Sequence, residues 1–139
     1  MHIAFALFAD AANLSQEGKL NVLGVFDAVH VAGLPTLHPR TTLVVRLKGG
    51  MADVGDHTVT LRWAGPRGVE LWSSTADLRV GAPRPGVGEM DIPLIASVDL
   101  PIEQTGEHTM AIALDGMTMS AVRLHVHAAP TMLAGTLLS

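Results

Sequence analysis

The chain has 139 residues, which is enough for one domain with a core of its own. It contains no cysteine, which excludes disulfides, thiolate nucleophiles and cysteine-ligated zinc. Its net charge of −4 disfavours nucleic-acid binding, because phosphate contacts need a basic face. The chain shows no signal peptide and no apolar run as long as a membrane span. We therefore expect a cytoplasmic protein that does not bind membranes.

The balance of charged and apolar residues is unusual for a small domain. Only 16% of the residues are charged, whereas 48% are hydrophobic. The usual charged share is about 25%, so we expect some apolar groups to remain on the surface. Exposed apolar patches indicate a partner site, a ligand groove or self-association. The alternative is a surface rich in alanine, threonine and serine.

The opening of the chain has the pattern of two strands joined by a turn. His2–Ala9 alternates larger and smaller residues, Asp10–Lys19 is a polar loop, and Leu20–Val31 is apolar on both faces. Gly18 suits the left-handed backbone of such a turn. A strand that is apolar on both faces is predicted to be central in its sheet, or covered by a neighbouring subunit. A solvated edge there would contradict this strand order and also the self-association inferred from it.

Four further strands follow, each with alternating apolar and polar residues: Arg40–Lys48, His57–Ala64, Val69–Asp77 and Met90–Leu100. In the third of these, Leu71 is predicted to face the core. Trp72 is predicted to lie on the opposite, less apolar face. There it could contact a partner or pack over the edge of the core.

The last two strands are predicted from the dipeptide Asp115-Gly116, a strong signal for a two-residue type I′ hairpin turn. In the register that this turn sets, the apolar residues after position 120 would point away from the core. We therefore predict a β-bulge at Ser120–Val122. The bulge would return three residues to the core: Val122, Leu124 and Val126.

Together these segments predict an all-β fold of about eight strands. We expect a single-domain antiparallel β-sandwich of immunoglobulin-like or jelly-roll type. The sandwich is expected to span residues 1–128, and residues 129–139 to form an apolar C-terminal tail that docks on the domain or a neighbour, or frays. The candidate interface residues are Leu23, Val25, Val29, Trp72, Met132 and Leu133.

Two groups of residues could hold a metal ion. His125 and His127 lie on one strand face, and His57 or His108 could complete a zinc site. The carboxylates and amides of Asp10–Asp27 have the chemistry of a calcium site. Ordinary outward-facing polar positions and turn residues account for both groups and are the favoured interpretation. No catalytic motif is visible, so we expect neither an enzyme nor a cofactor.

The stretch Asp10–Asp27, DAANLSQEGKLNVLGVFD, resembles the opening of an uncharacterised bacterial family of small cytoplasmic all-β proteins, a domain of unknown function. The segment from Gly106 to Gly116 is similar to the C-terminal hairpin of that family. The resemblance implies a stand-alone cytoplasmic all-β domain. It carries no activity and no catalytic residue with it.

Two functions are expected from the sequence. The first is a non-enzymatic binding or assembly module, a homo-oligomer or a partner-binding protein, that acts through an apolar sheet face or edge. The second is a β-sandwich that binds a small ligand or a metal at Asp10–Asp27 or at His125 and His127. An enzyme would instead need a deep pocket with converging titratable groups.

Overall fold

The computed structural model describes residues 1–130, in which the chain forms two β-sheets and no α-helix. The nine strands of this part of the chain are β1 (His2–Leu14), β2 (Leu20–Phe26), β3 (Ala28–Val31), β4 (Thr36–Gly49), β5 (Gly55–Ala64), β6 (Glu70–Val80), β7 (Met90–Ile102), β8 (Gly106–Leu114) and β9 (Met117–Ala128). One sheet has four strands in the order β2-β1-β4-β7, and the other has five in the order β3-β9-β8-β5-β6. This confirms the predicted β-sandwich.

The core lies between the two sheets and is centred on Trp63. The Trp63 side chain is fully buried, and its indole N–H donates a 2.9 Å hydrogen bond to the main-chain oxygen of Pro101 in the opposite sheet. Its ring meets Phe8 edge-on, with centroids 6.1 Å apart, and stacks on His108 at 5.2 Å. One indole thus contacts both layers, and its polar N–H is satisfied inside the core.

The prediction that Leu20–Val31 forms a central strand is wrong. The segment divides into β2 and β3, which are edge strands of different sheets. At Asp27, between them, the main-chain oxygen accepts a 2.8 Å hydrogen bond from the N–H of His125, which carries the chain into the second sheet. Of this run, Phe26 packs on the core from one sheet and Val29 from the other, whereas Leu23 and Val25 remain exposed. The self-association inferred from a central strand loses its basis.

The first hairpin is confirmed, but its loop is shorter than predicted. β1 continues to Leu14, so the turn consists of residues 15–19. The N–H of Gly18 donates to the oxygen of Ser15 at 2.9 Å, and Gly18 has a φ of +80°. Asn13 and Asn21, on paired strands, share a side-chain hydrogen bond of 3.0 Å. Polar residues that suggested a loop therefore form an ordinary cross-strand pair.

The predicted orientation of Trp72 is also wrong. Trp72 pairs directly with Trp63, so the two residues lie on the same face of their sheet. The register shifts immediately after this pair, where Ala64 aligns with Glu70, and Leu71 is the extra residue. Because of this bulge, Leu71 and Trp72 both pack against the core, half-buried.

The last hairpin has the predicted turn and a bulge at a different position. Asp115 and Gly116 have φ values of +51° and +82°, as a type I′ turn requires. Ala113 pairs with Thr118 and Ile112 with Ser120, so Met119 is the extra residue. The ladder is regular through Ser120–Val122, so the predicted position of the bulge is wrong. Its predicted consequence is confirmed, because the next apolar residues contact the core: Val122, Leu124 and Val126.

β9 ends at Ala128, and two of the candidate interface residues, Met132 and Leu133, lie outside the described residues. Most strands pair antiparallel, as predicted, but β3 runs parallel to β9. No helix in residues 1–130 combines the length and hydropathy that a membrane span needs.

Candidate interaction surface

The edge strands of the two sheets differ in how well they are protected. An edge presents unpaired main-chain groups to which another strand can add, and prolines, charges or a short length discourage this. β7 carries Pro93 and Pro101, β6 carries Asp77 and Arg79, and β3 has only four residues. β2, with the sequence LNVLGVF, contains neither proline nor charge. Among the edges of the described sheets, β2 is the one without these protections.

β2 also exposes two large apolar side chains. Leu23 is 70% exposed and Val25 is 60% exposed. Leu23 pairs with Ala11 and Val25 with Ala9, so both side chains lie on the same face of the sheet. We call Leu23, Val25 and the exposed Ala11 the β2 patch. An open edge and an apolar patch therefore coincide on one strand.

Gly24 and Asp10 shape the hairpin between the two exposed side chains. Gly24 has a φ of +67°, a backbone conformation that residues with a side chain rarely adopt. A Cβ at Gly24 would lie 2.7 Å from Cγ of Asp10, which is too close. Asp10 therefore packs over the main chain of the opposing strand. Asp10, a candidate calcium ligand, thus takes part in the packing of the first hairpin.

The other candidate interface residues that can be located do not join the β2 patch. Val29 is 8% exposed and belongs to the core, and Trp72 packs against the core. Two of the six predicted residues, Leu23 and Val25, are thus brought together on the surface. Sequence reasoning missed Ala11, whose position opposite Leu23 follows from the turn at Gly18.

The two candidate metal ligands remain on one face, but the structure gives them different neighbours from those expected. His127 pairs with His30 of β3, and their ring centroids are 5.3 Å apart. His108 is fully buried against Trp63 and does not reach that face. In residues 1–130 no three side chains of histidine, cysteine, aspartate or glutamate are grouped so that they could hold a metal ion. His30 was missed because its pairing with His127 joins distant parts of the chain.

His57 instead links the turn of the last hairpin to a short 3-10 helix, Met51–Asp53, that precedes β5. Its Nδ1 lies 2.7 Å from Oδ2 of Asp115, and its Nε2 lies 2.6 Å from the main-chain oxygen of Asp53. The hydrogen bond to Asp115 is the main reason that the pKa of His57 is raised, and the same bond lowers the pKa of Asp115. Both ring nitrogens face acceptors, so the charged imidazolium donates to both. This arrangement ties the turn of the last hairpin to the start of β5.

A second charge cluster lies on the outward face of the four-stranded sheet. Arg46 and Lys48 of β4 both pair with Asp91 of β7, and they lower the pKa of Asp91 to about 2. Nearby, Lys19 from the first hairpin turn lines a cleft with Phe5 and Arg46. The turn of that hairpin therefore lies over this outer face. Two cations share one carboxylate, and the cluster joins two neighbouring strands.

The described residues define a two-sheet β-sandwich with one unprotected apolar edge. Residues 4–127 match the model of a family of unknown function, DUF6941, and the chain belongs to that family. The expectation that the chain belongs to a family of unknown function is thereby confirmed. A search of curated proteins found no match. Because the family brings no described activity, the function has to be argued from the geometry.

Proposed function

We propose that this protein is a non-enzymatic assembly module that self-associates through β2. The exposure of Leu23 and Val25 on an edge strand without proline or charge supports this proposal. Addition of a strand at this edge would satisfy main-chain groups and bury both side chains in the same step. Full burial of such a side chain contributes about 1.5–3 kcal/mol.

A second copy of the chain is the partner that best fits β2. Two β2 strands can pair antiparallel about a two-fold axis at Leu23, which places each Leu23 opposite the same residue of the other copy. Val25 then faces Asn21, and no like charges meet because the strand carries no charged residue. The pairing would join the two four-stranded sheets into one continuous sheet. This proposal depends on exposure at an edge, and not on a central position of Leu20–Val31.

We further propose that the assembly forms in the cytoplasm of a bacterial cell. The cysteine-free composition supports a reducing compartment. The resemblance of Asp10–Asp27 to a bacterial family supports a bacterial origin of the protein. The proposed assembly needs no catalytic group and no cofactor.

The proposal is tested by the double variant Leu23→Lys/Val25→Lys. Lysine on an edge strand opposes strand addition through charge repulsion and desolvation. Sedimentation velocity over a micromolar concentration series should show a dimer for the wild type and a monomer for the variant. Val69→Lys/Met117→Lys is the matched control, because these side chains are 62% and 68% exposed but lie away from β2. The control should remain a dimer.

Two results would contradict this proposal. A wild-type monomer throughout the series would exclude self-association at those concentrations. Equal dissociation of the control variant would indicate general hydrophobic contact and not pairing at β2. The tagged protein should also be purified from its own host. A different protein that co-purifies with the wild type and is lost with the double variant would replace the second copy as the partner.

A further inference from the structure

A slot opens into the sandwich between the edge strands β6 and β7. It is a cavity of about 200 Å³ whose walls come from both sheets. Its floor contains Leu43 and Val45, which are 1% and 2% exposed. We call this cavity the inter-sheet slot. Further lining residues are Leu61, Ser74, Ala76 and Ala96.

Small side chains at inward positions create this slot. Ser74 pairs with Leu61 and Ala76 pairs with Val59, so Ser74 and Ala76 lie on the inward face of β6. Both are nevertheless exposed, because the two layers do not close over them. The opposite wall has Ala96 of β7. Protein interiors are normally filled to high density, so three small residues around one space leave room for another molecule.

We propose that the inter-sheet slot binds a small apolar ligand, of the size of one aromatic ring or a short alkyl chain. An apolar cavity of about 150 Å³ is large enough to hold benzene. Pockets for drug-sized ligands are about 300–1,000 Å³, so a larger molecule could insert only one end. The side chains of the two walls are almost all aliphatic, with Ser74 and Asp77 as the polar lining residues. Because aliphatic walls cannot replace the hydration of an ion, the slot discriminates against a charged ligand of equal size.

This site is independent of the proposed assembly. β2 and β7 are the two opposite edges of the four-stranded sheet, with β1 and β4 between them. A ligand in the slot contacts both sheets next to β7, so it stabilises the sandwich without touching the β2 patch. Failure of one proposal therefore leaves the other open to its own test.

The test is a titration of the protein with toluene, followed by the methyl NMR signals of leucine and valine. Saturable shifts are expected at Leu43, Val45 and Leu61, and benzoate, a ring of similar size with a carboxylate, should not produce them. Ala76→Leu adds three carbons inside the slot and should weaken toluene binding by more than about tenfold. The matched control is Ala121→Leu, an exposed position on the same sheet, which should bind like the wild type.

Several outcomes would overturn this proposal. They are the absence of saturable shifts in the wild type, equal binding of benzoate, and undiminished binding by a folded Ala76→Leu variant. If Ala76→Leu does not fold, Ala96→Leu fills the slot from the opposite wall and is expected to weaken binding in the same way. If either variant changes the oligomeric mass of the protein, the slot holds a side chain of a second copy. That result would also contradict a small ligand.

Discussion

The first and last hairpins of this protein have similar local patterns and different environments. Each has apolar strands and a turn glycine with positive φ, +80° at Gly18 and +82° at Gly116. In the last hairpin, β9 lies between β3 and β8, and its Leu124 is fully buried. In the first, β2 has a neighbour on one side only, and its Leu23 is 70% exposed. Leu124 faces the opposite sheet, whereas Leu23 lies on the outward face, out of phase with the core-packed Phe26. Burial is therefore decided by the face of the sheet on which each residue lies.

The turns of the two hairpins show the same difference. Asp115 in the last turn accepts a 2.9 Å hydrogen bond from the N–H of Thr58, and its other oxygen meets His57, so β5 holds it through two neighbouring residues. In the first turn, Lys19 pairs with Glu17 and its N–H donates to Ser15 Oγ, both within the turn. A turn held by another strand resists opening more than a turn that holds only itself.

The largest effect is expected for truncation in the buried hairpin. Leu124→Ala should lower the free energy of unfolding by about 2–5 kcal/mol, because it leaves a cavity in a packed core. Urea denaturation followed by circular dichroism measures this loss. A loss below about 1 kcal/mol would mean that the last hairpin is no better packed than the first, which would remove the contrast.

A smaller, pH-dependent effect on stability is expected from the contact between His57 and Asp115 in the last turn. The pKa of His57 is raised in the folded protein, above its usual value of 6.5. Its stabilising contribution is therefore complete below pH 6.5 and is lost as the pH rises through the raised pKa. Urea midpoints should fall over this range for the wild type and less for His57→Gln. His125→Gln, an exposed histidine on β9, is the control, and parallel profiles of the wild type and His57→Gln would contradict the prediction.

The smallest effect is expected for the matched truncation in the open hairpin. Leu23→Ala should change the free energy of unfolding by no more than about 0.5 kcal/mol in dilute protein, because the side chain is already in water. If β2 pairs with a second copy, the loss should grow with protein concentration, since assembly stabilises the folded state. Denaturation at two protein concentrations separates the effect of Leu23→Ala on the single chain from its effect on assembly. A loss as large as that of Leu124→Ala at high dilution would show that Leu23 is packed within its own chain.

The candidate surface was only partly predictable from the sequence. Leu23 and Val25 were identified because they belong to an apolar run in a chain with little charge. Val29 belongs to the same run, but it is buried because the chain changes sheets at Asp27. Trp72 was assigned to the wrong face because a bulge at Leu71 moves the phase of its strand by one residue. Such a shift leaves no local signal when both neighbouring residues are apolar.

The sequence by itself determined the all-β class, the hairpin turns and most of the strands. Period-two alternation and the special backbone of Gly18 and Gly116 are local properties, so they can be read without knowledge of the rest of the chain. The tertiary structure alone decided which strands are edges, where the bulges lie and which apolar residues remain in water. These depend on pairing between segments far apart in sequence, such as β3 with β9. Leu23 and Leu124 are the same residue type on similar strands, and the packing of one sheet on the other makes Leu124 part of the core and leaves Leu23 on the surface.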